Sequence, residues 1–169
     1  MFQIGELVRY GSSGVCEVTA IGSLKMSGID PNREYYTLRN LFSDGIVYTP
    51  VDTKVPMRAL ITAQEANDLI DSIPSLECPH LEARNSIELD AVYKETFHFD
   101  QCADLAVLLK LLYSKRAAST RGRRFSSTDE RIFHQAQSML FQEFATVLQM
   151  PLNQVEKYIE DRLAAAQKS

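Results

Sequence analysis

The fold of the N-terminal part of the chain is decided by residues 7–21, LVRYGSSGVCEVTAI. Leu7–Tyr10 is a short run of strand-forming residues, and the GSSG sequence that follows it is a turn signal. In the next run, Cys16, Val18 and Ala20 fall on one face and two polar residues fall on the other. This period of two is typical of a half-buried strand. The stretch therefore predicts two strands joined by a glycine-containing turn.

Three more strands are predicted before residue 62. They are Glu34–Phe42, then Ile46–Thr49 after an Asp-Gly turn, and the short closing strand Met57–Ile61. Five short strands with turn signals about ten residues apart predict a small barrel or meander. An exposed edge of such a sheet can accept a strand from a partner, or it can simply be protected by its charges.

The remainder of the chain has helical periodicity, and capping signals predict the boundaries of its helices. The first helix is capped by Thr62 with Glu65 and stops before Pro74, and the second runs from Glu82 to Phe97. The third has Asp100 as its N-cap. The fourth begins at a capping box, Ser127–Glu130, and the last follows Pro151. Four leucines of the third helix share one stripe: Leu105, Leu108, Leu109 and Leu112. The prediction is an α+β fold, with a five-stranded β domain over residues 1–61 and an all-helical domain of about five helices over residues 62–169.

Positive charge is concentrated in one segment of an acidic chain. The 169 residues carry a formal net charge of −4, yet residues 110–131 contain seven Lys or Arg against two acids, a local charge of +5. Residues 62–104 contain ten acids and two basic residues, a local charge of −8. The positive cluster suggests an anionic partner such as a phosphate backbone. The alternative is a solvated loop between two helices.

No catalytic, metal or cofactor site is indicated. The turn at residues 11–14 lacks the lysine and the following helix of a phosphate-binding loop. Residues of zinc-binding type occur at Cys78, His80, His98 and Cys102. The gap between Cys78 and His80 is tighter than in the usual paired ligands, so a metal-dependent enzyme is the weaker interpretation. Three widely spaced cysteines indicate a reducing cytoplasm, and no run of about 18 apolar residues could span a membrane.

Two ordered series of residues resemble a known family. The N-terminal series resembles the RNA-polymerase-interacting domain of the CarD/CdnL family, a module that transcription-repair coupling factor also carries. It consists of Phe2-x-Ile4-Gly5-Glu6-x-Val8-x-Tyr10, Gly14-Val15, Tyr35-Tyr36-x-Leu38, Val47-x-x-Pro50-Val51 and Arg58. The second series is similar to the helical half of CarD-like bacterial regulators. It consists of Leu111–Arg116, Ser126–Glu130 and Ala136-x-x-Met139-Leu140-x-x-Glu143-Phe144-Ala145.

The resemblance implies a two-part mechanism and two partners. In the family, a Tudor-like five-stranded barrel docks on the β subunit of bacterial RNA polymerase. The helical domain then reaches upstream promoter DNA at the edge of the transcription bubble and stabilises the open complex. A short tether raises the effective concentration of the helical domain at the DNA to about millimolar, so a weak contact is sufficient. No cofactor and no small-molecule substrate are implied.

The resemblance also implies which residues face these partners, from the positions at which the chain matches the family. The polymerase-facing set is Lys25, Gly45, Ile46, Val47, Tyr48, Thr49 and Pro50. Lys25 is expected as a rim charge and Tyr48 as an aromatic anchor, with packing inside the barrel as the alternative for Tyr48. The DNA-facing set is Arg84, Lys94, Lys115, Arg116, Arg121, Arg123 and Arg124.

The helical half departs from the family at its second segment. CarD-like proteins carry a Trp there that wedges into the minor groove, whereas this chain contains no Trp. Glu88 and Asp90 replace basic residues of the family, so only Arg84 and Lys94 remain positive in this neighbourhood. Two hypotheses follow. The chain is a transcription regulator that touches promoter DNA through its basic loop, Lys115–Arg124, or it is a polymerase- or protein-binding adaptor without productive DNA binding.

Overall fold

The computed structural model describes residues 1–119 and 125–168. The chain divides into two compact units, the first spanning Met1–Leu60 and the second beginning at Ile61. Within the described residues, the first unit holds five β-strands and the second holds five α-helices. The predicted α+β fold is therefore confirmed.

The N-terminal unit is a single antiparallel sheet. Its strands are β1 (Leu7–Tyr10), β2 (Gly14–Gly22), β3 (Tyr35–Asn40), β4 (Ile46–Pro50) and β5 (Met57–Ala59), in the spatial order β4-β3-β2-β1-β5. In the turn between β1 and β2, Gly11 and Gly14 have φ of +42° and +80°, a region in which side chains other than glycine are strained. β4 and β5 are the two edges, and in the described part of the chain no strand pairing between them closes the sheet into a barrel.

A β-bulge in β2 interrupts the alternation that the sequence suggested. The core of the sheet consists of Val8, Cys16, Val18, Tyr36 and Leu38. The register between β2 and β3 shifts after Val18, because Val18 pairs with Leu38 while Ala20 pairs with Thr37. The extra residue, Thr19, turns Ala20 toward solvent. The grouping of Ala20 with Cys16 and Val18 on one face was therefore wrong.

The C-terminal unit is built from helices around an apolar core. They are α1 (Ala63–Ser72), α2 (Ser86–Thr96), α3 (Cys102–Ser119), α4 (Ser127–Val147) and α5 (Val155–Gln167). All four leucines of the predicted α3 stripe are buried, and they pack with the apolar side of α4. None of the helices described is both long and apolar enough to cross a bilayer.

Three of the predicted helix starts required correction. α1 begins as expected, since Thr62 Oγ1 accepts a hydrogen bond of 3.0 Å from the Glu65 amide. α2 begins at Ser86, not Glu82, because the Oδ1 atom of Asn85 caps the Glu88 amide at 2.9 Å. α3 begins at Cys102, so Gln101 and not Asp100 precedes it. The capping box of α4 lies one residue earlier than predicted, with Ser126 as N-cap and Asp129 as its reciprocal partner.

The carboxylate of Asp129 joins α2, α3 and α4. Asp129 is fully buried. Its Oδ1 accepts from Tyr93 Oη at 2.6 Å and from Lys115 Nζ at 2.9 Å, and its Oδ2 accepts from the amide and the hydroxyl of Ser126, both at 2.9 Å. Burial by itself would raise the pKa of Asp129, but the hydrogen bonds from Tyr93, Ser126 and Lys115 outweigh it and lower that pKa. The buried group is therefore an ionised and fully bonded carboxylate.

Replacing this carboxylate is expected to destabilise the helical unit. We expect Asp129→Asn to lower the free energy of unfolding by about 2–4 kcal/mol, because Lys115 then has no charged partner in a mostly buried site. Urea denaturation of the full chain measures this change. The matched control is Glu130→Gln, which removes the neighbouring and half-exposed partner of Arg116 and should cost less than about 1 kcal/mol.

The pH dependence of the stability of the wild type and of Asp129→Asn provides a second test. Because the folded-state pKa of Asp129 is lowered, its contribution is present above the ordinary Asp pKa of about 4 and is lost as pH falls through the folded value. The stability difference between wild type and Asp129→Asn should therefore narrow below about pH 4. A difference that stays constant down to acid unfolding would contradict an ionised Asp129.

Candidate functional site

β4 is an edge strand whose side chains divide cleanly between interior and solvent. Ile46 and Tyr48 are 56% and 42% exposed. Val47 packs against the sheet core, and Thr49 is buried and accepts a hydrogen bond of 2.9 Å from Tyr10 Oη. The predicted alternative for Tyr48, packing inside a barrel, is therefore wrong. The strand is held from within and presents an aliphatic and an aromatic side chain outward.

The backbone of β4 also has an open side. The Asn40 amide donates to Gly45 O at 2.9 Å, and the Val51 amide donates to Glu34 O at 3.1 Å. These bonds bracket the pairs Arg39–Ile46 and Tyr35–Pro50, which are therefore the non-hydrogen-bonded type of antiparallel pair. Residues alternate along a ladder, so the amides of Val47 and Thr49 point toward β3. Those of Ile46 and Tyr48 point away from it, and no strand of the described sheet lies on that side.

The two edges of the sheet differ in how they are protected. β5 is three residues long and carries Arg58. β4 is five residues long, contains no charged residue, and has a proline only at its last position. Exposed edges usually carry charges, prolines or bulges that prevent association with other strands. β4 lacks a charge or a bulge along its length, and this favours a binding surface over a merely protected edge.

Of the other members of the predicted polymerase-facing set, Pro50 is the last residue of β4, whereas Gly45 and Lys25 lie outside the strand. Lys25 is exposed in the connection between β2 and β3, and Gly45 is exposed immediately before β4. Met26 and Phe42 are two further apolar side chains, 48% and 36% exposed, in the connections on either side of β3. Neither is among the predicted site residues, and Phe42 was predicted as the last residue of a strand that in fact ends at Asn40.

The predicted DNA-facing residues in α2 and just before it, Lys94 and Arg84, are paired with acids. The amide and the Nε of Arg84 donate to Glu88 Oε2 at 2.9 and 3.3 Å, although the Arg84 side chain is 91% exposed. Lys94 lies 2.8 Å from Asp90, which also pairs with Arg131. The hydrogen bonds from Lys94 and Arg131 lower the pKa of Asp90. The charges of Arg84 and Glu88 cancel, and the group of Lys94, Arg131 and Asp90 keeps a formal charge of only +1, so this surface attracts phosphate weakly.

Three described members of the basic cluster are also bonded within the helical unit. Lys115 binds the buried Asp129. Arg116 lies 3.0 Å from Glu130, with its guanidinium 4.1 Å from the centre of the Phe133 ring. Lys110 donates to backbone oxygens at the end of α1. Arg121, Arg123 and Arg124 lie outside the described residues. Their proposed contact with DNA, like that of the other candidates, stays a prediction.

The four residues considered for zinc each have a different neighbour. Cys78 Sγ lies 3.8 Å from Val107 O, and Cys102 Sγ donates to the buried Glu143 at 2.5 Å. The imidazoles are next to acids, His80 with Glu82 at 3.1 Å and His98 with Asp104 at 3.0 Å. Among residues 1–119 and 125–168, no three potential ligands come together around a metal position.

Comparison with known proteins bears on the N-terminal unit. Residues 2–61 match the family model of the CarD-like/TRCF RID domain, where TRCF denotes transcription-repair coupling factor and RID the RNA-polymerase-interacting domain. The match includes all five strands and ends before α1, so the five helices described lie outside it. A search of curated proteins found no match to the chain. The predicted recognition is thus confirmed for this part of the chain, and the match supports an RNA-polymerase-interacting, transcription-related function. Over residues 2–61, the chain is similar to the CarD-like/TRCF RID domain.

Proposed function

We propose that this chain is a transcription regulator that docks on the β subunit of bacterial RNA polymerase through the outer edge of β4. The observation that carries the proposal is the open, uncharged edge of β4, with Ile46 and Tyr48 exposed on it. Its role is binding and not catalysis. It acts in the cytoplasm, together with the polymerase.

Two kinds of contact supply the affinity. A strand of the polymerase subunit pairs with the outward amides and carbonyls of Ile46 and Tyr48, which extends the sheet by one strand. The ring of Tyr48 and the side chain of Ile46 provide apolar anchors, and Lys25 adds a charge at the rim. The β4 interior needs no rearrangement, because Thr49 is already fixed by Tyr10.

The helical unit then acts near upstream promoter DNA, and its contact is confined to the basic loop. Arg121, Arg123 and Arg124 would supply phosphate contacts independent of sequence, which become effective because the docked N-terminal unit holds them at the promoter. Such contacts would modulate the stability of the open complex.

An adaptor without productive DNA binding is the second candidate. The observation that favours it is the pairing of Arg84, Lys94, Lys115 and Arg116 with acids of their own unit. The absence of a Trp that could wedge into the minor groove points the same way. Both candidates share the docking step and differ only in the basic loop.

Substitutions at Tyr48 separate the anchor from the added strand. We expect Tyr48→Ala to weaken binding to the isolated β subunit by about 30-fold, the effect of removing a central aromatic anchor. Tyr48→Pro removes the same side chain and also the outward amide, and should weaken binding by a further factor of about two to ten. Proline is tolerated on an edge strand where the amide faces solvent. Surface plasmon resonance with the full chain measures both.

The control for these variants is Tyr113→Ala, which removes a tyrosine of the same 42% exposure from α3. It should bind the β subunit like the wild type. Wild-type affinity in both Tyr48 variants would exclude β4 as the docking site. If Tyr48→Ala and Tyr48→Pro weaken binding to the β subunit equally, the role of Tyr48 as an anchor is supported and strand addition is excluded.

A charge-reversal experiment distinguishes the regulator from the adaptor. With polymerase at a weak promoter, the regulator predicts that Arg121→Glu combined with Arg124→Glu reduces the protein-dependent change in abortive product formation. It also predicts that the salt dependence of this change becomes shallower by about one unit of logarithmic slope per residue. The matched control is Lys157→Glu with Lys168→Glu, an equal charge change on the exposed part of α5 and the residue after it. An unaltered response in the first double variant supports the adaptor.

A further inference from the structure

The helical unit contains a cavity that the docking and DNA-contacting roles do not use. It lies between α3, α4 and α5 and has a volume of about 320 Å³. This is near the lower end of the range for small-molecule sites. Its walls are apolar and consist mainly of Ala106, Leu109, Leu140, Phe141, Ile159 and Leu163.

Two of the three charged side chains around this cavity are acids. Glu156 and Glu160 of α5 are exposed at its edge, and Tyr113 Oη lies 3.4 Å from Glu156 Oε1. Glu160 has no ion pair with any residue that the structure describes. Burial, with a smaller effect of Glu156, raises the pKa of Tyr113, so its phenol stays neutral. The rim therefore offers acceptor oxygens and negative charge.

The one basic residue of the lining keeps its positive charge but has no hydrogen left to donate to a ligand. Lys110 Nζ donates to the backbone oxygens of Ile73, Pro74 and Leu76 at 2.8, 3.0 and 2.7 Å. An ammonium group has three hydrogens, so all of them are used. The same bonds fix the chain at Ile73, which is part of the cavity wall. The wall is thus preformed, and little ordering cost remains for a ligand.

We propose that this cavity binds a small organic cation, an ammonium group attached to an apolar alkyl or aromatic body. The apolar body is transferred from water into the space between the three helices. The ammonium group donates to Glu156 and Glu160 at the rim. A carboxylate with the same body meets two like charges and finds no free donor on Lys110.

Three probes with the same eight-carbon chain test the assignment: octylammonium, octanol and octanoate. Each is titrated into the ¹⁵N-labelled full chain, and amide shifts are followed by NMR. We expect octylammonium to shift amides of α3, α4 and α5 around the cavity and to bind at least about tenfold more tightly than octanoate. Octanol should fall between them. Shortening the ammonium to hexyl should weaken binding about fourfold for each methylene removed.

Variants at the rim test the role of the two acids. Glu156→Gln and Glu160→Gln should each weaken octylammonium binding by about two- to fivefold and leave octanol unchanged. Glu95→Gln makes the same charge change at an exposed position of α2 and should have no effect. Octanoate binding as tight as octylammonium, shifts that map away from the cavity, or wild-type affinity in the variant that combines Glu156→Gln with Glu160→Gln would each overturn the proposal.

Discussion

β4 has a hydrogen-bonding partner on one side only, and the functional character of the N-terminal unit follows from this constraint. The amides of Val47 and Thr49 point toward β3 and donate hydrogen bonds to it, so the amides of Ile46 and Tyr48 point outward. The same alternation by two buries Thr49 and exposes Tyr48. One strand thus combines a fixed inner face with an outer face that offers both backbone groups and apolar side chains. No charge on β4 opposes the approach of a second strand.

In the helical unit, two of the described basic residues, Lys115 and Arg116, also hold the helices together. Lys115 neutralises the buried carboxylate that joins α2, α3 and α4, and Arg116 packs its guanidinium against Phe133. If Lys115 moved to a DNA phosphate, Asp129 would be left buried without its cation. Breaking a buried pair in this way costs about 3–5 kcal/mol, more than one phosphate contact returns. Contact with DNA is therefore unfavourable for Lys115, near the C-terminal end of α3, and remains compatible with Arg121, Arg123 and Arg124 of the basic loop.

Local patterns predicted much of the fold, and the misses came from features that depend on neighbours. The α3 leucine stripe and the end of α1 before Pro74 follow from periodicity and from proline alone. The bulge at Thr19 is set by pairing with β3, which the residues of β2 do not encode by themselves. Adjacent serines made the N-cap of α4 ambiguous, and Asp129 decided it by bonding back to Ser126. The edge position of β4 and the pairing of Lys115 with Asp129 both require the three-dimensional arrangement.

The central claim, that β4 receives a strand from the polymerase, is tested most directly by hydrogen exchange resolved to single amides. In the free chain, the amides of Ile46 and Tyr48 should exchange rapidly, whereas those of Val47 and Thr49 should be protected by β3. Adding the polymerase β subunit should protect Ile46 and Tyr48 and leave the other two unchanged. Continued rapid exchange at Ile46 and Tyr48 in a saturated complex would contradict strand addition at β4.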